Sequence, residues 1–196
     1  MSELRRHEED ASLSEFLGEL GFSGYRDLGV DSVLLVEGRT DAQALRQLLP
    51  RGTNAMTVLL PLGGAAGING GAGPELVEVK RIAPVVRALI DSERTSPDAP
   101  LSPDRRAFVE ACAAADIPCH VLDRRALENY FPRGAVQRGL DRPDLEELDP
   151  FEKLADRWPK SENWRIASRL TLADLQGTDL GTFLTSISAS VPPATP

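Results

Sequence analysis

Cysteine and histidine are scarce in this chain, with two of each. Neither pair falls at the spacing that zinc sites use, and two cysteines make no disulfide framework. Cys112 and Cys119 therefore read as plain reduced thiols, and His120, in an apolar strand segment, reads as a packing residue. Long apolar runs are missing as well. Nothing approaches the roughly 20 residues that a membrane-spanning helix needs. The first ten residues are charged where a secretory signal would be apolar. The expectation is a cytoplasmic protein with no membrane partner. Positive charge is also in short supply, 22 Lys and Arg against 30 Asp and Glu, a net charge of -8. That balance disfavours unaided binding to a polyanion, whose affinity comes largely from phosphate neutralisation. It does not exclude a nuclease, because acids gathered to hold cations count toward the negative total. Arg105-Arg106, Arg124-Arg125 and the arginines of residues 133–142 are candidates for a local basic face, with solvated helix surface as the equal alternative.

What is present fits one compact α/β domain. Of 196 residues, 41% are hydrophobic and 27% charged, ordinary values for a chain that buries a core. Leu13, Phe16, Leu17 and Leu20 recur at helical spacing near the start. The run Val33-Leu34-Leu35-Val36 then reads as a strand buried on both faces, as in a parallel sheet. A helix follows, with Ala42, Leu45, Leu48 and Leu49 on one side and Thr40 or Asp41 as its cap. Residues 56–62 make a second strand. The glycine-rich stretch from Gly63 to Gly73 lacks Gly-Lys-Ser/Thr, so it reads as a flexible or backbone-close loop rather than a nucleotide pocket. A short helix over 74–82, a third strand over 84–90, a helix over 104–115 and a fourth strand over 116–122 complete the alternation. Strands alternating with helices imply a mainly parallel, four-stranded sheet. Beyond Pro132, helical segments are expected over 136–140, 151–158, 164–170 and 180–187. The resulting division is an N-terminal helical segment (1–30), a core (31–131), a helical extension (132–187) and a disordered tail (188–196).

Acids recur where these strands end. Glu37 follows the first, with Asp41 four residues on; Asp91-Ser92-Glu93 follows the third, and Glu128 lies beyond the fourth. Open α/β sheets place ligand chemistry at the carboxyl ends of their strands. Like charges gathered there are costly unless cations neutralise them. Oxygen-only ligands suit Mg2+ or Mn2+, and two such ions can bind a phosphate, activate water and stabilise a leaving oxygen. If the third strand continued past Asp91, its alternation would put Glu93 on the same face.

Three stretches resemble one family. Val33 to Asp41, a buried strand ending Glu-Gly with an Asp in the next turn, looks like the first signature of the Toprim domain of topoisomerases, bacterial primases and several nucleases. Leu89-Ile90-Asp91-Ser92-Glu93 is similar to its second signature, usually Asp-x-Asp, with Glu here as the last acid. Arg124-Arg125-Ala126-Leu127-Glu128-Asn129-Tyr130 resembles the Arg-Arg-x-x-Glu-Asn-Tyr segment of nucleases of the OLD (overcoming lysogenisation defect) family. The resemblance implies a Toprim, Rossmann-like fold and an Mg2+- or Mn2+-dependent endonuclease acting on DNA or RNA. It implies Glu37, Asp41, Asp91, Glu93 and Glu128 as metal ligands, Glu37 also as general base, and Ser92 near a metal or water. A distal lysine assists in that family, and Lys160 is the positional candidate; Asn129 and Tyr130 would fix Glu128. OLD proteins carry an ABC-type ATPase, for which no Walker motif exists here. The chain thus resembles a stand-alone form working beside a separate ATPase, as in PARIS-type phage defence, with a homodimer among the assemblies allowed. The alternative is a non-catalytic Toprim module that binds metal and organises a partner complex. Strand transfer is disfavoured, since Tyr25 and Tyr130 are the only tyrosines and neither lies in a cleavage domain.

Overall fold

The computed structural model describes residues 30–49, 56–63 and 73–189. The expected N-terminal helix, most of the glycine-rich loop and the end of the tail lie outside these residues. Four strands, β1 (Val30–Val36), β2 (Met56–Pro61), β3 (Val85–Ile90) and β4 (Cys119–Val121), form one sheet in the order β2-β1-β3-β4. All three pairings are parallel, with Leu35 opposite Leu60 on one side and Ala88 on the other. The expected α/β class and the parallel sheet are therefore present.

Helix α1 (Arg39–Leu48) links β1 to β2, α2 (Gly73–Val79) precedes β3, and α3 (Pro103–Ala114) links β3 to β4. The first link steps outward from β1 and the later two step the opposite way across the sheet. Right-handed crossovers then require α1 on one face and α2 and α3 on the other. The core obeys this rule. Leu34, Val36 and Leu89 share one cluster with Ala42 and Leu45 of α1. Val33, Leu35 and Ala88 share a second with Leu76 of α2 and Phe108 of α3. Alternate β1 residues thus serve opposite cores, which is why the run is apolar without interruption. The reversal in direction falls between β1 and β3 and opens a crevice at their carboxyl ends.

The C-terminal extension is part of this core. Helices α4 (Arg133–Leu140), α5 (Asn163–Ala167) and α6 (Asp179–Ala189) send Val136, Ile166 and Leu184 into the cluster shared with α1 and β1. Gly139 lets α4 close on α5, since a Cβ there would lie 2.6 Å from the Ile166 Cα. Three expectations change. Residues 151–158 form turns and irregular chain rather than a helix, and Asn129 Nδ2 pins the start of the segment by donating to the main-chain carbonyls of Asp149 and Glu152 at 2.6 and 2.9 Å. Helix α6 continues through Ser188 and Ala189, which the sequence reading placed in a disordered tail. Strand β4 is also shorter than expected: it is an edge strand entered through Pro118, which has no N–H to pair. Among the described residues no helix is long and apolar enough to cross a membrane.

Asp179 at the start of α6 ties the extension to the sheet. Its carboxylate accepts hydrogen bonds from Tyr130 Oη (2.6 Å), His120 Nε2 (3.0 Å) and the Asp123 N–H (2.9 Å). The His120 ring stacks on Phe183 with centroids 4.8 Å apart, a packing role combined with a hydrogen-bonding one. Burial pushes the Asp179 carboxyl up, but the His120 and Tyr130 hydrogen bonds outweigh it and hold the group at about 2. This stabilisation is present above the ordinary aspartate range and is lost as pH falls through about 2. Asp179→Ala is expected to lower stability by about 2–4 kcal/mol at neutral pH. In urea unfolding, its difference from the wild type should shrink between pH 4 and pH 2; a constant difference would remove the charge from the account.

Candidate functional site

The crevice between β1 and β3 collects charged side chains from five segments. Glu37 is the first residue beyond β1. The Gly38 N–H donates to Asp41 Oδ2 at 3.0 Å, which turns the chain into α1 and holds Asp41 at the third helical position. Gly38, rather than Thr40 or Asp41, is the N-cap, so the Asp41 side chain satisfies the cap from inside the helix. Asp91 follows β3 directly, and its Oδ1 accepts the Leu127 N–H at 3.0 Å. That bond sets the start of the 3-10 turn Leu127–Tyr130, which carries Glu128. Glu128 Oε2 in turn accepts from Asn163 Nδ2 at 3.4 Å. Asn163 is fully buried, and its Oδ1 is fixed by the Trp158 indole N–H at 2.9 Å.

Lys160 enters from the extension on the 3-10 turn Lys160–Glu162. Its Nζ stands 3.2 Å from Asp41 Oδ1 and 3.4 Å from Asp91 Oδ2. Arg105, on the first turn of α3, is the second cation. Its Nε donates to the Asp91 main-chain oxygen at 2.8 Å, and its Nη2 lies 3.0 Å from both carboxylate oxygens of Glu37. Between Glu37, Asp41 and Asp91, with Val36, Leu45, Leu89, Leu122 and Leu127 as walls, lies a pocket. Its volume, about 10 Å³ for the centre of a water-sized body, is room for one water or small ion.

Of the sequence-derived candidates, Glu37, Asp41, Asp91, Glu128 and Lys160 come together here. Glu93 does not. The strand stops at Ile90, Glu93 takes a positive φ of 53°, and its N–H donates to the Arg125 carbonyl at 2.8 Å. Its half-exposed carboxylate pairs with the Arg125 guanidinium, away from the cluster. Ser92 is likewise engaged elsewhere: its hydroxyl donates to the Arg124 carbonyl at 2.7 Å and so holds the segment leading to Glu128. Asn129 and Tyr130 brace the turn that carries Glu128. Asn129 Oδ1 accepts the Ala126 N–H at 3.0 Å, and Tyr130 Oη accepts the Arg124 N–H at 3.0 Å. Arg125, Arg133 and Arg142 of the supposed basic face are each paired with an acid, Glu93, Glu146 and Asp144.

Two residues of the site escaped sequence reasoning. Asn163 left no signal. Arg105 did: it shares the i, i+3, i+7 face of α3 with Phe108 and Cys112, all three buried. An arginine on an apolar face needs an acidic partner, and Glu37 is that partner.

Four carboxylates thus face two cations, which leaves two negative charges uncompensated when all are ionised. Burial, then the neighbouring Asp91 charge, pushes Glu37 up to about 7 against the pull of Arg105 and Lys160. The same two causes raise Asp41 to about 6, and burial raises Glu128. Burial opposes the Lys160 charge, but Asp91, Asp41 and Glu128 outweigh it and hold the ammonium protonated. Two protons or one divalent cation would complete the balance. Asp41 Oδ1 is buried and has no hydrogen bond; the Lys160 ammonium is close but not aligned with it. Among the described residues no three His, Cys, Asp or Glu side chains stand at metal-holding spacing. A hard ion of the Mg2+ type asks for less, since it is held by one or two carboxylates and keeps several waters. The all-oxygen donor set fits that requirement, with Asp41 Oδ1 engaged only by the Lys160 ammonium at 3.2 Å.

No protein-family model, curated protein or solved structure matches the chain.

The raised carboxyls make a prediction about the fold without metal. Glu37 and Asp41 bind protons more readily folded than unfolded, so stability is greatest below the ordinary carboxylate range. It is lost as pH rises through about 6 and about 7. Urea midpoints in the presence of chelator should therefore fall between pH 5 and pH 8. Asp41→Asn should flatten that slope and stabilise the metal-free protein at pH 8 by about 1–2 kcal/mol. A midpoint that rises over this interval would contradict the assigned protonation.

Proposed function

We propose that this chain is a Toprim-type, metal-dependent phosphodiesterase that cuts DNA or RNA, an effector of phage defence controlled by a separate ABC-type ATPase. The observation that carries the reading is the meeting of Glu37, Asp41, Asp91, Glu128 and Lys160 at the switch point between β1 and β3. All but Lys160 stand where the Toprim and OLD resemblance sets a site acid, and Lys160 is the lysine chosen by position. A divalent cation, when bound, supplies the charge that draws a phosphodiester into an acidic crevice and polarises it. Asp41 and Asp91 would hold it, with Glu128 beside them. Glu37, held near pH 7, suits the proton-accepting role toward water attacking phosphorus. The water's new bond forms to phosphorus, its proton passes to Glu37, and the P–O bond to the leaving oxygen breaks. The Lys160 ammonium, already among the carboxylates, offsets charge that builds on the phosphoryl oxygens.

A second reading draws on the same geometry. Lys160 and Arg105 supply part of the neutralisation, and no closed three-acid cage is present among the described residues. Such a site suits a non-catalytic module that binds metal weakly and organises a partner complex.

Purified protein, alone and with its partner ATPase, is expected to nick nucleic acid in millimolar Mg2+ or Mn2+. Glu37→Ala should lower the rate by roughly 10²–10⁴-fold, and Asp91→Ala should abolish the metal-dependent cleavage. Either ion should raise the thermal midpoint of the wild type through preferential binding to the folded state. Cleavage unchanged in Glu37→Ala would sink the enzymatic assignment. Loss of cleavage by itself is not enough for the second reading, which requires normal assembly and biological activity in both variants.

A further inference from the structure

We infer that Arg105 is a positioning residue that dictates how Glu37 meets a cation, an inference that rests on the metal-site reading above. Nη2 of Arg105 is 3.0 Å from Oε1 and 3.0 Å from Oε2 of Glu37. An atom equidistant from both oxygens and hydrogen-bonded to both lies in the plane that bisects the carboxylate, on the side a chelating cation takes. Arg105 therefore occupies the chelating side. Only the outer lone pairs of Glu37 remain, so it faces the pocket through one oxygen at a time.

The guanidinium is mounted to keep that position. Nε donates to the Asp91 main-chain oxygen at 2.8 Å, so one planar edge spans the ends of β1 and β3. Phe108 and Cys112 bury the same face of α3, and Ser102 Oγ accepts the Arg105 N–H at 3.3 Å. Arg105 itself is 7% exposed. Moving it off Glu37 means breaking a buried hydrogen bond and lifting α3 from its core.

The consequence is a division of roles among like groups. A chelating Glu37 would bind the cation more tightly in the ground state. Tighter ground-state binding does nothing for the chemical step. With its chelating side taken, Glu37 keeps the orientation that Arg105 gives it, while Asp41 and Asp91 hold the ion. Arg105 thus trades metal affinity for a fixed placement of the neighbouring carboxylate.

This predicts opposite signs for two measurements on one variant. In full-length Arg105→Met, Mn2+ titrated by its own electron-spin signal should bind roughly tenfold more tightly than in the wild type. Turnover at saturating Mn2+ should fall roughly 10–100-fold. A supporting role without this geometry would weaken both, and that result overturns the inference. Simple repulsion between Arg105 and the ion would tighten binding equally in a Glu37→Gln background, which also overturns it; the expected outcome there is no further tightening. Arg105→Lys keeps the charge and guards against misfolding of the methionine variant. Its ammonium cannot hold both Glu37 oxygens and the Asp91 carbonyl, so Mn2+ should again bind more tightly, and unchanged affinity counts against the proposal. If wild type and variants alike bind no Mn2+ at millimolar concentration, the metal site itself is refuted. If the wild type binds and cuts but the signs do not oppose, only the role of Arg105 fails.

Discussion

Electrostatic repulsion among carboxylates at the ends of two adjacent parallel strands is the constraint from which the rest of the structure follows. Glu37 and Asp91 are the first residues beyond β1 and β3, and Asp41 and Glu128 are brought against them by hydrogen bonds from the Gly38 N–H and from Asn163 Nδ2. Such a group survives burial only with compensation. Arg105 supplies part of it from α3 and Lys160 part from the extension, and the carboxyls of Glu37 and Asp41, raised to about 7 and about 6, take up protons for the rest as pH falls.

The C-terminal extension acquires a reason from that constraint. It covers the apolar face of the sheet that α1 leaves incomplete, with Ile166 and Leu184 packed beside Leu34 and Leu45. The same packing brings Lys160 and Asn163 to the crevice. Gly139 permits the approach of α4 to α5, and Asp179 secures α6 against Tyr130 and His120. Fold stability and site assembly are therefore coupled through one hydrophobic cluster. A defect in the extension acts on the carboxylates without touching them.

Positions set by short-range patterns were legible in the chain. The uninterrupted apolar run of β1, the helical spacing of α1 and α3, and the acids after β1 and β3 all follow from local periodicity. Asp-x-Glu after β3 misled, because alternation holds only while the strand lasts. Ile90 ends it, and Glu93 turns to Arg125. Residues 151–158 misled as well: their periodicity is helical, but the path of the segment is pinned by Asn129, distant in sequence, which donates to the Asp149 and Glu152 carbonyls. Arg105 read as one half of a surface pair, although its spacing to Phe108 and Cys112 marked it as inward-facing.

Sequence by itself determined the α/β alternation and the strand-end acids, since each depends on residue type and on spacings of a few positions. Only the tertiary structure decided which acids meet. It joined Glu37, Asp41, Asp91 and Glu128, left Glu93 outside, and delivered Lys160 and Arg105 as their counter-charges. The physical reason is that charge compensation acts through space. Lys160 and Asp91 are 69 positions apart in the chain and 3.4 Å apart in the fold.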